Sequence, residues 1–94
     1  MRLFWTRRAA DDLADIHVFI AAADPVTAYD VIDRNRTAAR RLGTHPALGR
    51  AGRVAGTREL VVARTPFVVA YRLQRRRVTV LRVLRGARRW PPRL

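Results

Sequence analysis

The sequence predicts an α+β fold, β-α-α-β-β-β, with an N-terminal helical hairpin packed on an antiparallel sheet. Three observations carry this. Between residues 9 and 42 the apolar residues recur at helical spacing. From residue 57 onward the period drops to two. The apolar runs of that second half are joined by very short connections, which only antiparallel neighbours allow. Helical and strand patterns that segregate along a chain are the mark of an α+β layer.

The first element is "RLFWT", residues 2–6, short, aromatic and β-prone. Thr6 is placed to cap the helix that follows. Asp11 and Asp12 come early in that helix, where the dipole favours negative charge. Ala9, Leu13, Ile16 and Ile20 form its buried stripe, Phe19 and Ala23 widen it, and Asp12 and Asp15 lie off it. The helix is expected to run to about Ala23. Asp24 then offers an N-cap and Pro25 suits the first helical position. The second helix should reach about Leu42, with Ala28, Val31, Ile32, Asn35, Ala39 and Leu42 inward and Gly43 in the left-handed position past its end. Residues 44–56 read as a loop. "TRELVVAR" (57–64), "FVVAYRLQ" (67–74) and "RVTVLRVL" (77–84) read as a meander, turning at Thr65-Pro66 and Arg75-Arg76. Phe67, Val69, Tyr71 and Leu73 share one face of the middle strand; Val68, Ala70 and Arg72 share the other.

With 94 residues the chain is read as one domain, residues 1–94, and 49% hydrophobic content is enough for a packed core. All 20 basic residues are arginine, against 7 acidic ones, so the net charge is +13. Such a field attracts nucleic acid, acidic proteins or anionic surfaces. Absence of cysteine excludes disulfides, thiolate metal sites and a cysteine nucleophile. His17 and His45 do not form a metal pattern, so neither metal nor cofactor is expected. No apolar stretch is long enough to span a bilayer, and "MRLFWTRRAADD" lacks the apolar core of a signal peptide. A cytoplasmic protein with no membrane partner is expected.

Several short stretches carry a resemblance. They are Trp5 with Ala10, Asp12, Leu13 and Ile16; Asp24-Pro25 with Ala28; His45-Pro46-Ala47-Leu48-Gly49-Arg50 with Gly52-Arg53; Gly56-Thr57-Arg58-Glu59-Leu60; Pro66 to Arg72; and Val83-Leu84-Arg85-Gly86-Ala87-Arg88-Arg89-Trp90-Pro91. In that order and spacing the chain resembles the ParE branch of the RelE/ParE toxins of bacterial type II toxin–antitoxin modules. The resemblance implies a toxin held in a hetero-oligomer with a ParD-like antitoxin whose C-terminal segment is acidic and amphipathic. It implies one of two targets. ParE-like members inhibit DNA gyrase and block replication; RelE-like members cut mRNA on the ribosome.

RNA cleavage needs a base, an acid and cations at the phosphorane. Arginine supplies only the last, because it does not exchange protons near neutral pH. Many relatives carry histidine just after the last strand, where this chain has Arg85, which leaves charge without a proton shuttle. His17 reads as a helix-packing residue, His45 as a turn residue, Tyr71 as core, and Glu59 as the partner of neighbouring Arg58. No catalytic residue is therefore assigned. The expected reading is a gyrase inhibitor acting by binding, through Arg58, Arg72, Arg82, Arg85, Arg88, Arg89 and Trp90. Trp90 has two readings, a cover for the sheet end or an interface anchor. Two alternatives stay open. One is an mRNA endonuclease in which Arg58, Arg72 and Arg85 hold phosphate and Tyr71 or Glu59 moves protons. The other is a non-toxic domain that binds antitoxin or nucleic acid.

Overall fold

The structure, a computed structural model, describes residues 1–94. Strand β1 is Arg2–Trp5, helix α1 Arg7–Ala21, helix α2 Pro25–Thr44, and strands β2 to β5 are Arg50–Ala51, Arg58–Val61, Phe67–Gln74 and Arg77–Arg85. The strands form one sheet in the order β1-β5-β4-β3-β2. The expected meander β3-β4-β5 is present and antiparallel. The sheet as a whole is mixed, however, because β1 lies parallel to β5, from Arg2 opposite Arg77 to Trp5 opposite Val80. A parallel neighbour needs a long return path, and the two helices between β1 and the meander provide it. The two-residue edge strand β2 falls inside the expected 44–56 loop; so short an edge has no readable period.

Local sequence sets the helix starts. Thr6 Oγ1 accepts the Ala9 amide at 3.1 Å and donates to the Leu81 carbonyl at 3.0 Å, so the cap of α1 also fastens it to β5. Asp24 accepts the Thr27 amide at 3.1 Å and the Thr27 hydroxyl at 2.6 Å. The six expected inward residues of α2 are all buried. Their ends differ from expectation. α1 stops at Ala21, and α2 continues through Gly43 to Thr44, capped at His45. Gly43 serves close approach rather than a left-handed turn. Its carbonyl accepts the Met1 amino group at 2.7 Å, and a Cβ there would lie 3.2 Å from the Met1 carbonyl oxygen.

The core lies between the helices and one face of the sheet. Ala9 and Leu13 of α1 and Val31, Ile32, Ala39 and Leu42 of α2 meet Phe67, Val69, Tyr71, Val78, Val80 and Val83. Val80 and Val83 share this face although two residues, Leu81 and Arg82, separate them. Ala70 pairs with Arg82 and Tyr71 with Val80, so Leu81 is an extra residue in β5, a bulge that resets the alternation. Phe19, expected to widen the buried stripe, is instead 74% exposed.

Asp11 and Asp12 do not lie in the first turn of α1, so the dipole does not account for them. Asp12 has a tertiary role. β1 covers β5 only as far as Val80, and beyond it the strand edge is open. Asp12 accepts the Val83 amide at 2.9 Å and a fork from Arg82, Nε at 2.8 Å and Nη2 at 3.1 Å. The hydrogen bonds to Asp12 raise the Arg82 guanidinium pKa further. Replacing Asp12 by Ala leaves a mostly buried guanidinium and a strand amide without their acceptor. The expected loss is about 2 kcal/mol, read as a lower midpoint in urea denaturation.

Candidate functional site

The second face of the sheet has no helix. Val68 and Ala70 of β4 and Leu84 of β5 are covered there by Trp90, which is 9% exposed, and by Leu94. The indole Nε1 donates to the Arg85 carbonyl at 2.9 Å, which fixes the segment after β5 in a turn. Of its two readings, Trp90 is therefore a cover of the sheet, already buried by its own chain.

Arg53 holds this cover in place. Its guanidinium carbon lies 3.7 Å from the centroid of the Trp90 ring. Its Nη1 donates to the Gly86 carbonyl at 3.0 Å. Its Nε and Nη2 donate to Glu59 at 3.1 Å each, and its backbone amide donates to Glu59 Oε2 at 2.7 Å. Arg50 stands 3.8 Å from the same carboxylate. Glu59 pairs with Arg53 and Arg50, not with adjacent Arg58, because successive residues of a strand point to opposite faces. Burial pushes the Glu59 carboxyl up, but the hydrogen bonds from Arg53 and the two positive charges outweigh it and hold the group below the usual carboxylate value.

Tyr71 secures the same loop from the helical face. Its fully buried hydroxyl donates to the Pro46 carbonyl at 2.7 Å and accepts the Gly49 amide at 2.9 Å. Arg58, opposite Tyr71 in the register, donates to the Gly49 carbonyl at 2.8 Å. Gly49 has to be glycine, since a Cβ would lie 2.7 Å from the tyrosine ring and 2.8 Å from the Glu59 carbonyl oxygen.

The expected arginines do not converge on one face. Arg82 turns to α1 and Arg58 to the loop, each in intramolecular bonds. Arg72 lies in the row of Thr79, toward the β4–β5 turn. Arg85, the last residue of β5, and Arg88 and Arg89 just after it remain together and exposed, and none has a carboxylate within ion-pair distance. Arg85 sits over the Phe67 ring at 5.1 Å. With Arg88 it borders a groove of about 320 Å³ whose apolar lining includes Ile16, Phe19, Ile20 and Phe67. Val18, Phe19, Val26 and Tyr29 leave a further apolar patch exposed near the helical turn. His17 and His45 are both exposed on separate elements. The sequence reading missed Arg53, Asp12 and Phe19. Only Phe19 carried a local sign, an aromatic residue at the margin of a helical stripe.

Glu59 is ionised more readily in the folded state than in the unfolded one. Its contribution is present above about pH 4.3 and is lost as pH falls through the lower folded value. Glu59→Gln is expected to lower the melting temperature at neutral pH and to flatten its fall in acid, measured by thermal denaturation between about pH 3 and about pH 7. Gly49→Ala should cost about 3 kcal/mol, read in the same way, because the Cβ meets backbone that cannot rotate aside.

Three comparisons bear on this site. The family model of the ParE toxin of the type II toxin–antitoxin system parDE matches residues 3–90. The candidate toxin Y4kP of Sinorhizobium fredii is 41% identical over 90 residues, covering 96% of this chain and 93% of that protein. Toxin RelE2 of Caulobacter vibrioides is 36% identical over 87 residues, covering 93% and 97%. Among solved structures, a chain of the chromosomal ParDE system from P. aeruginosa superposes with a TM-score of 0.82 at 30% identity, covering 90% of this chain and 95% of that one. The buried glutamate, the tethered loop and the exposed arginines thus sit on a recognised scaffold, and the chain belongs to the ParE toxin family of type II toxin–antitoxin systems.

Proposed function

We propose that this toxin acts by binding DNA gyrase and blocking replication, and that a ParD-like antitoxin neutralises it. One observation carries the reading: Tyr71 and Glu59, the two residues weighed above as proton carriers, are committed to the frame, while the exposed arginines at and after the end of β5 have no carboxylate partner. Tyr71 uses its hydroxyl as both donor and acceptor inside the core. Glu59 is bound by Arg53 in an ion pair that lowers its proton affinity. Arg85 stands at the strand end as a fixed charge. A body so arranged supports recognition of an anionic surface more readily than acid–base chemistry.

The antitoxin reading rests on charge and on exposed apolar surface. An acidic, amphipathic segment would meet the positive field of a +13 chain and cover Val18, Phe19, Val26 and Tyr29. The solved relative, a ParDE system, supports the pairing.

Expression without antitoxin is expected to arrest growth, and the purified protein to accumulate gyrase in a cleaved DNA complex. Replacing Arg85, Arg88 and Arg89 together by Ala should weaken the gyrase effect at least about tenfold with little change in melting temperature. Trp90 is left in place, because its burial makes any substitution a stability change. Toxicity without a gyrase effect would overturn the proposal. Codon-linked cuts in translated mRNA, seen by primer extension, would replace it with the ribosomal reading.

A further inference from the structure

The opposite end of the sheet, about 26 Å along β5 from Arg85, breaks two local rules at one place. First, β4 and β5 are joined by Arg75-Arg76 alone, between the paired residues Gln74 and Arg77. Both arginines have left-handed backbone, with φ of 50° and 61°. A two-residue turn of this kind is the site for Asn-Gly; a residue with a Cβ costs about 1–2 kcal/mol in that region. Second, Arg2 stands directly opposite Arg77 on neighbouring strands, where like charges repel. Both guanidinium groups lie over one ring, Phe4, at 5.4 and 4.6 Å, which holds them side by side. No carboxylate relieves this crowding, since all four ion pairs of the molecule lie elsewhere. The four arginines and Met1 line an open cleft of about 450 Å³. Arg72 shares the same sheet face one row further in, beside Thr79 and Phe4.

A turn chosen for stability alone would carry neither the strain nor the repulsion. Local choices that conflict with the fold mark positions kept for another reason. We propose that this hairpin end is a binding site for the phosphate backbone of nucleic acid, read without regard to sequence. Guanidinium forks match phosphodiester oxygens in geometry and charge. The only aromatic ring, Phe4, is covered by the two arginines, so bases have no face to stack on and the backbone is what the site can hold. An acidic protein partner fits less well: protein interfaces turn on buried apolar anchors, and the cleft has one apolar lining residue, Met1. A strongly positive, polar surface is the character of a nucleic-acid interface. The site does not depend on the gyrase reading, because it is tested with the protein and DNA alone.

The test is fluorescence anisotropy of the purified protein on a labelled, mixed-sequence DNA duplex, over a series of salt concentrations. The central variant combines Arg75→Asn with Arg76→Gly, which removes two charges while giving the turn its favoured residues. Its melting temperature should rise while its affinity falls at least about tenfold near 0.1 M salt, with the slope of log K against log salt reduced by about two. Arg77→Gln, which leaves the turn as it is, should reduce the slope by about one. Arg64→Asn with Arg93→Gln removes two charges that do not line the cleft and should change affinity far less. Unchanged binding by the hairpin variant would overturn the site. So would an equal loss in that control, which would mean that net charge alone binds DNA. Equally tight binding of polyglutamate would overturn it in favour of an acidic protein.

Discussion

A five-stranded sheet has two faces to bury, and two helices can cover only one of them. The interaction that resolves this is the Arg53 guanidinium, held between the Glu59 carboxylate and the Trp90 ring. It fastens the loop before β3 and the segment after β5 to the uncovered face. It also makes the burial of Glu59 tolerable, since a buried carboxylate needs a partner and filled lone pairs. Together with the bond from the indole to the Arg85 carbonyl, it keeps Trp90 over Val68, Ala70 and Leu84.

The same logic commits the polar groups near the middle of the fold. Tyr71 bonds the loop from one side of the sheet and Glu59 from the other, on adjacent strands. Asp12 closes the edge of β5 that β1 leaves open. Each of these groups resembles a chemical residue in isolation and is part of the frame in place. Among the charges left unpaired, Arg85, Arg88 and Arg89 lie at one end of β5 and Arg2, Arg75, Arg76 and Arg77 at the other.

Most of the elements were legible in the sequence because their causes are local. Caps at Thr6 and Asp24, the inner face of α2 and the alternation of β4 depend on residues within a few positions of one another. The helix ends were less legible. Gly43 carries the usual sign of a helix stop, yet here it answers to Met1, distant in the chain. The candidate site was legible only as a stock of arginines. Arg53 and Arg58 stand near each other in sequence, and nothing in that stretch says that one stacks on Trp90 while the other bonds Gly49.

The sequence by itself determined the α+β class, the helical hairpin, the meander, the excess of positive charge and the family likeness. Those follow from periodicity, composition and motif order, which the chain carries whatever its contacts. Only the tertiary structure decided that β1 joins parallel to β5, that a bulge at Leu81 resets the core face, that Asp12 closes the edge of β5, that Glu59 pairs with Arg53 rather than Arg58, and that Tyr71 ties down the loop. It also decided which arginines are free. A guanidinium is positive wherever it lies; whether it is available depends on the acceptors that folding brings within reach.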